Sequence, residues 1–288
     1  MAQIQEIKET YLKKVLRKRT DSSHKGDNGR VLVIGGSYDY HGAPILAAKA
    51  AMRAGCDLVY LYVPECNFEV TRASCPDFIV KKYKGDYFSP RAASEIIDFG
   101  KTCDSVLIGP GLSDKESVFE GVLEILQHLH IPTVLDASAI FALKKIRKFP
   151  LEQDILATPH MNEFSELVDR EINVEEKDSQ SIILLRSIAM DLHLNIILKG
   201  HVDLVASDDG DVVKNLTGNS GMTVGGTGDV LAGIAASFAA RHNGMFVAAQ
   251  AAAYMNGKAG NMAFKKYGNG LMASDVIESL GSVVYDFS

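Results

Sequence analysis

The chain has 288 residues, 47% hydrophobic and 23% charged, with a net charge of −6. That length carries a sizeable core, and the balance is that of an ordinary soluble globular protein rather than a disordered or fibrous one. Acidic excess argues against a nucleic-acid surface, and no apolar run reaches the roughly 20 residues that a membrane span needs. Cys56, Cys66, Cys75 and Cys103 show neither CxxC pairing nor metal-ligand spacing, so reduced thiols and a cytoplasmic location are expected.

The first twenty or so residues mix Glu6 and Glu9 with Lys13, Lys14, Arg17 and Lys18, which predicts an amphipathic helix rather than a transit peptide. Short apolar, β-branched runs then read as buried strands: 30–34, 58–63, 78–83, 105–108, 133–135, 154–157 and 195–198. Helical periodicity fills many of the gaps, at 43–54, 90–99, 117–128, 162–169 and 179–193. Alternation of this kind predicts one α/β domain spanning 1–288: a mostly parallel sheet with helices on both faces. The segment 171–177 reads as a charged, solvated connector. Beyond Lys199 the pattern changes. Two alternating runs, 202–206 and 211–216, flank the turn sequence Ser207–Asp208–Asp209–Gly210 and predict an antiparallel hairpin. An alanine-rich helix at 245–266, read as structural, and a last helix at 274–280 capped by Ser274 complete the chain.

The stretch Gly218–Ile234, GNSGMTVGGTGDVLAGI, concentrates the chemistry. Val230, Leu231, Ile234 and Phe238 fall at helical spacing, so Gly225, Gly226 and Gly228 open a helix. Unpaired amides at that helix start, with the helix dipole, make an anion site. Asp229 is either a helix cap or a carboxylate with a chemical task. In a parallel sheet, ligands sit at the carboxyl ends of the strands. There the chain places Gly35–Gly36 and Gly42, Gly109–Pro110–Gly111, Asp136, Thr158–Pro159–His160 with Glu163, and Lys199–Gly200. His160 is either a hydrogen-bonded structural residue or a ligand contact. Glu163 either holds a magnesium-bound water or occupies a helix first turn. Walker-type, GxGxxG, HExxH and GxSxG motifs are absent.

Nearly the whole chain beyond the first 22 residues resembles the NAD(P)H-hydrate dehydratase family of the ribokinase-like superfamily. The resemblance rests on Ser23–Gly26, GGSYDYHGAP, Pro76–Asp77, IGPGL, LDA, TPHMNEF, LKG, GNSGMTVGGTGD and GLMASDVI. It implies a three-layer ribokinase-like fold and dehydration of the (6S) hydrate of NADH or NADPH, with ADP or ATP as co-substrate and magnesium assisting. It also implies Asp229 as base and substrate contact, and Ala43, Gly111 and His160 around the hydrated nicotinamide. The nucleotide would lie on Lys199, Gly200, His201, Val202, Asp203, Gly225, Gly226, Thr227 and Gly228, and a homo-oligomer is implied. Ser138 stands where the family often has a second acid, Asp203 where it usually has a small hydroxyl residue, and Ser220 where it has proline. A small-molecule hydroxyl kinase would share the architecture and the glycine turn. TPH together with the full GNSGM run favours the dehydratase.

Overall fold

The computed structural model describes residues 4–16, 19, 21–146, 149–172, 174–175 and 178–287. Among them ten strands form one sheet: β1 (Gln5–Glu6), β2 (Arg30–Ile34), β3 (Leu58–Pro64), β4 (Ile79–Tyr83), β5 (Ser105–Ile108), β6 (Thr133–Leu135), β7 (Ile155–Ala157), β8 (Asn195–Leu198), β9 (Asp203–Ala206) and β10 (Val212–Asn215). Their order is β1-β10-β9-β8-β7-β6-β5-β2-β3-β4. Pairing is parallel from β4 across to β8 and antiparallel for β8–β9 and β9–β10. The hairpin therefore forms as its turn sequence predicts, and it extends the sheet in the opposite sense.

Alternation along each strand explains the layers. In β2, Val31 and Val33 enter one core while Leu32 and Ile34 enter the other, all fully buried. The first core is closed by α2 (Gly42–Arg53), α8 (Thr227–Ala239), α9 (Met245–Tyr267) and α10 (Ala273–Tyr285). The second is closed by α4 (Pro90–Gly100), α5 (Glu116–His128), α6 (Met161–Leu167) and α7 (Ser179–Asp191). Three layers result, as expected for a parallel sheet that must bury both faces.

Local differences from the sequence reading have local causes. The N-terminal segment is not one helix: β1 pairs with β10, Ile7 N–H continues that pairing to the Lys214 carbonyl at 2.8 Å, and only α1 (Thr10–Val15) is helical. Two residues of strand are too few to show a period. Arg17 and Lys18 lie outside the described residues, as do positions 173, 176 and 177 of the charged connector. A short helix α3 (Phe68–Ser74) and a 3₁₀ stretch at Ala137–Lys145 carry no periodic signal of their own. Ser274 is not the cap of α10. Met272 N–H donates to the Asp275 carboxylate at 2.8 Å one residue outside the helix, which then runs on to Tyr285.

Strand order reverses between β2 and β5, because the chain builds outward through β3 and β4 before crossing back. At such a switch point the two loops leave in opposite directions and open a crevice. The loops here are Gly35–Gly36 after β2 and Gly109–Pro110–Gly111 after β5, tied by Gly36 N–H to the Pro110 carbonyl at 2.9 Å.

Candidate active site

Three adjacent strands each deliver one polar side chain to the same edge. Asp136 follows β6, Thr158 follows β7 and Lys199 follows β8. Asp136 is 3% exposed, and its Oδ1 accepts from the Thr158 hydroxyl at 2.6 Å and from Lys199 Nζ at 3.1 Å. Lys199 Nζ also lies 3.8 Å from Glu163 Oε2. Burial opposes the ammonium, but the Asp136, Glu163 and Asp229 carboxylates outweigh it and hold Lys199 above its ordinary value. Lys199 is thus a fixed cation among three acids.

His160 and Glu163 cap α6 reciprocally. Glu163 N–H donates to His160 Nδ1 at 3.2 Å, and His160 N–H donates to Glu163 Oε2 at 2.8 Å. Because Nδ1 accepts, the neutral ring carries its proton on Nε2, which lies 3.5 Å from Glu163 Oε1. Of the alternatives left open for this pair, the structural one is seen: both residues cap α6, and they stand beside the cluster around Lys199.

Gly109 shows how tightly this edge is built. Its φ is +136°, and a Cβ placed on it would run into the Asp136 backbone carbonyl. Gly109→Ala is expected to cost at least about 2 kcal/mol from left-handed strain and overpacking. It should also displace Asp136, so urea denaturation and turnover should fall together.

The glycine turn sits opposite. Gly226, at φ +96°, is the residue that starts α8, and a Cβ there would meet Leu46 of α2 at 2.7 Å and Ala273 at 2.9 Å. The amide N–H groups of Thr227, Gly228 and Asp229 have no acceptor among the described residues. They are the orphan donors of a helix start, ready for an anion. Lys199 Nζ approaches the same spot, 3.3 Å from where a Gly228 Cβ would be. Asp229 does not cap the helix: it is the third helical residue, and the cap position makes no side-chain hydrogen bond. Burial, then the Asp136 charge, pushes its carboxyl up to about 7, with Lys199 opposing and Glu163 adding to the shift. A carboxyl so placed can take or give a proton near neutral pH.

Beside this turn lies a cavity of about 320 Å³. Its lining contains Lys199, Gly200, His201, Asp203, Thr227 and Gly228 of the residues singled out in the sequence. Val202, Gly225 and Gly226 are not part of it: Gly226 is turned onto α2, as its neighbours show. Ala43 and Gly111 come together, their Cβ positions 3.3 Å apart, whereas His160 stands with Glu163 and Lys199. Asp203 is tied by Gly200 N–H to Oδ1 and by Asn215 Nδ2 to Oδ2, each at 3.1 Å, and burial raises it despite those bonds and Lys199. Ser138 donates to the Leu112 carbonyl at 2.9 Å and supplies no charge. A larger cavity of about 570 Å³ at the β1–β10 edge, lined largely by Ile4, Ile182, Ile183, Val212, Val213 and Phe246, contains none of these groups.

Sequence reading put Asp136 at the ligand edge without giving it a role, and it passed over Thr217, Asn219 and Asn256, which line the cavity. The LDA strand end was the signal for Asp136. Asn256 and Gly257 lie in α9, whose alanines suggested packing alone. Among the described residues no group of three His, Cys, Asp or Glu could hold a metal ion, and Glu163 is already engaged by His160 and Lys199. Nor is any helix among them long and apolar enough to cross a membrane.

Comparison with known proteins agrees with this geometry. A sequence profile of the NAD(P)H-hydrate dehydratase family matches residues 31–281. An ADP-dependent (S)-NAD(P)H-hydrate dehydratase from Cenarchaeum symbiosum is 38% identical over 283 residues, 98% of this chain and 97% of that protein. A bifunctional NAD(P)H-hydrate repair enzyme from Methanothermobacter thermautotrophicus is 39% identical over 269 residues. That match covers 92% of this chain and 51% of the relative, so the chain spans about half the length of that protein. The solved ADP/ATP-dependent NAD(P)H-hydrate dehydratase from Bacillus subtilis, co-crystallised with ATP and Mg²⁺, superimposes with a TM-score of 0.84 at 26% identity, covering both chains in full. Profile, full-length relative and superposition together meet on one assignment: the chain belongs to the NAD(P)H-hydrate dehydratase family.

Proposed function

We propose that the chain removes water from the (6S) hydrate of NADH or NADPH, with a nucleoside diphosphate as the phosphoryl donor. The observation that carries this reading is Asp229, a carboxyl pushed up to about 7 directly behind three unpaired amides at the start of α8. The amides of Thr227, Gly228 and Asp229 would receive the terminal phosphate, with Lys199 beside them. Ala43 and Gly111 would border the hydrated ring. ADP is favoured over ATP for two reasons. The Cenarchaeum relative is named as ADP-dependent, and Asp136, Glu163 and Asp229 already surround one cation, so each further phosphate charge adds repulsion.

Hydroxide leaves poorly and phosphate leaves well, which is why a dehydration would consume a nucleotide. Asp229 accepts the proton of the substrate hydroxyl as its oxygen attacks the terminal phosphorus, and the bond from that phosphorus to the nucleotide breaks. The nucleotide departs one phosphate shorter. The ring nitrogen lone pair then expels inorganic phosphate by cleaving the carbon–oxygen bond, and loss of a proton from the adjacent carbon restores the double bond. Asp136 and Glu163 keep the Lys199 ammonium in place, so the site need not reorganise as phosphoryl charge shifts. A magnesium ion on the nucleotide phosphates would neutralise phosphoryl charge, with Glu163 holding one of its waters.

The test is product analysis with hydrated NADH and ADP, then ATP. Return of the reduced-nicotinamide absorbance with stoichiometric inorganic phosphate is expected, faster with ADP. Accumulation of a stable phosphorylated alcohol would instead make the chain a hydroxyl kinase.

A further inference from the structure

The loop after β2 carries two large aromatics into solvent, Tyr38 at 68% and Tyr40 at 59% exposure. A lone exposed tyrosine is ordinary on a protein surface. Tyr40 differs in how firmly its backbone is held. Asn67, itself buried, donates from Nδ2 to the Ser37 carbonyl at 2.8 Å and to the Tyr40 carbonyl at 3.2 Å. Ser37 N–H also donates to the Tyr40 carbonyl at 2.9 Å, and Tyr40 N–H to the Ser37 carbonyl at 3.2 Å. A buried amide thus fixes a loop whose aromatic side chain has no hydrogen bond, ion pair or ring contact among the described residues. That side chain leaves the backbone where Ala43 and Gly111 meet. From the point a Gly111 Cβ would occupy, Tyr40 Cβ lies at 3.1 Å, and Ala43 Cβ and Pro44 Cδ each at 3.3 Å. Of these three neighbours only Tyr40 has a π face.

The dehydration leaves a positive charge that no residue described so far meets. Once Asp229 has taken the hydroxyl proton it is neutral, and Lys199 belongs with the phosphate. As the carbon–oxygen bond breaks, both of its electrons leave with phosphate, and the ring nitrogen lone pair forms a double bond to that carbon. The ring is then an iminium cation. The adjacent carbon gives its proton to the departing phosphate, the electrons of that C–H bond close the ring double bond, and nitrogen recovers its lone pair. Resting on the dehydration reading above, we propose that Tyr40 is a further catalytic residue, its ring face stabilising the iminium cation as phosphate leaves. An aromatic face attracts a cation through its quadrupole, and the attraction grows as water is displaced from between them. The fixed loop supplies that face already in place, so the ring need not be ordered during the reaction.

Single-turnover mixing of the whole chain with hydrated NADH and ADP tests this, because it separates the two steps. AMP reports phosphoryl transfer, and the reduced-nicotinamide absorbance reports loss of phosphate. Tyr40→Leu should slow the absorbance step about ten-fold while AMP forms at close to the wild-type rate, so that a phosphorylated hydrate accumulates. Tyr40→Phe keeps the face and should stay within about two-fold of wild type. Phenylalanines with successive ring fluorines at the same position keep the shape but drain the face, so the absorbance step should slow with each fluorine. A Tyr40→Leu absorbance step at the wild-type rate overturns the proposal, and so does a fluorine series without a slope. Tyr40→Phe falling as far as Tyr40→Leu also overturns it, since the hydroxyl would then be the acting group. If Tyr40→Leu slows AMP formation and absorbance alike, the ring serves hydrate binding and the proposal fails. A wild type that forms no reduced nicotinamide with either ADP or ATP overturns the dehydration reading together with this one, whereas any of the earlier results with an active wild type overturns this one alone.

Discussion

Asp229→Asn is expected to lower kcat for the hydrate by about 10²- to 10⁴-fold, the range of a lost general base, while ADP still binds with an affinity within a few-fold of wild type. The wild-type kcat/KM should rise with pH through about 7, as the raised carboxyl of Asp229 ionises, and the variant should lose that limb. Stability should move the other way. Asp229 titrates near 3.8 when unfolded and at about 7 when folded, so the folded state binds the extra proton between those values. Stability contributed by the protonated form is complete below about 4 and is lost as pH rises through 7. Asparagine keeps the shape without the charge. Thermal melts should therefore show Asp229→Asn more stable than wild type at pH 8, by at most about 4 kcal/mol, with the gap closing towards pH 4. A variant with near-normal turnover and an intact fold would remove Asp229 from the chemistry.

Removing the cation should do more damage than removing the base. In Lys199→Met, three carboxylates face one another without their shared counter-charge, and Asp136 is almost wholly buried. Breaking such a buried pair from one side costs about 3–5 kcal/mol, because the remaining charge has no partner. Asp229 would be pushed further up, since Lys199 is the group that opposes its rise. The destabilisation should thus be largest at alkaline pH and shrink in acid, where the carboxylates take up protons; melts at pH 5 and pH 8 separate the two regimes. Turnover should fall by roughly 10²- to 10³-fold at least, as when one donor to a developing oxyanion is lost. If Lys199→Met melts like wild type at both pH values, the ammonium does not hold the acids together.

Strands were the most legible part of the chain in sequence. The runs at Arg30–Ile34, Ser105–Ile108, Thr133–Leu135 and Asn195–Leu198 coincide with β2, β5, β6 and β8 to the residue. Central parallel strands bury both faces, so their apolar runs are continuous and end abruptly at glycine or at a polar residue. β1 and α3 were not legible, being too short for any period to show. The polar strand ends were visible one by one, and the rule that ligands gather at carboxyl ends placed them at one edge.

Composition and pattern alone therefore indicated the layered α/β architecture, the hairpin, and the glycine-rich helix start at Gly225–Gly228, because each leaves a local signal in the residue order. Tertiary packing decided the rest. How far the Asp229 carboxyl is raised depends in part on Asp136 and Lys199, which lie 93 and 30 residues earlier in the chain. That Glu163 is engaged by His160 and Lys199 depends on where β8 ends relative to α6. And that Asn256 and Gly257 border a cavity follows from the way α9 packs beside the loop at Thr217, with Gly257 under the Thr217 backbone. Burial and the sum of nearby charges are properties of neighbours in space, and no local pattern in a sequence encodes them.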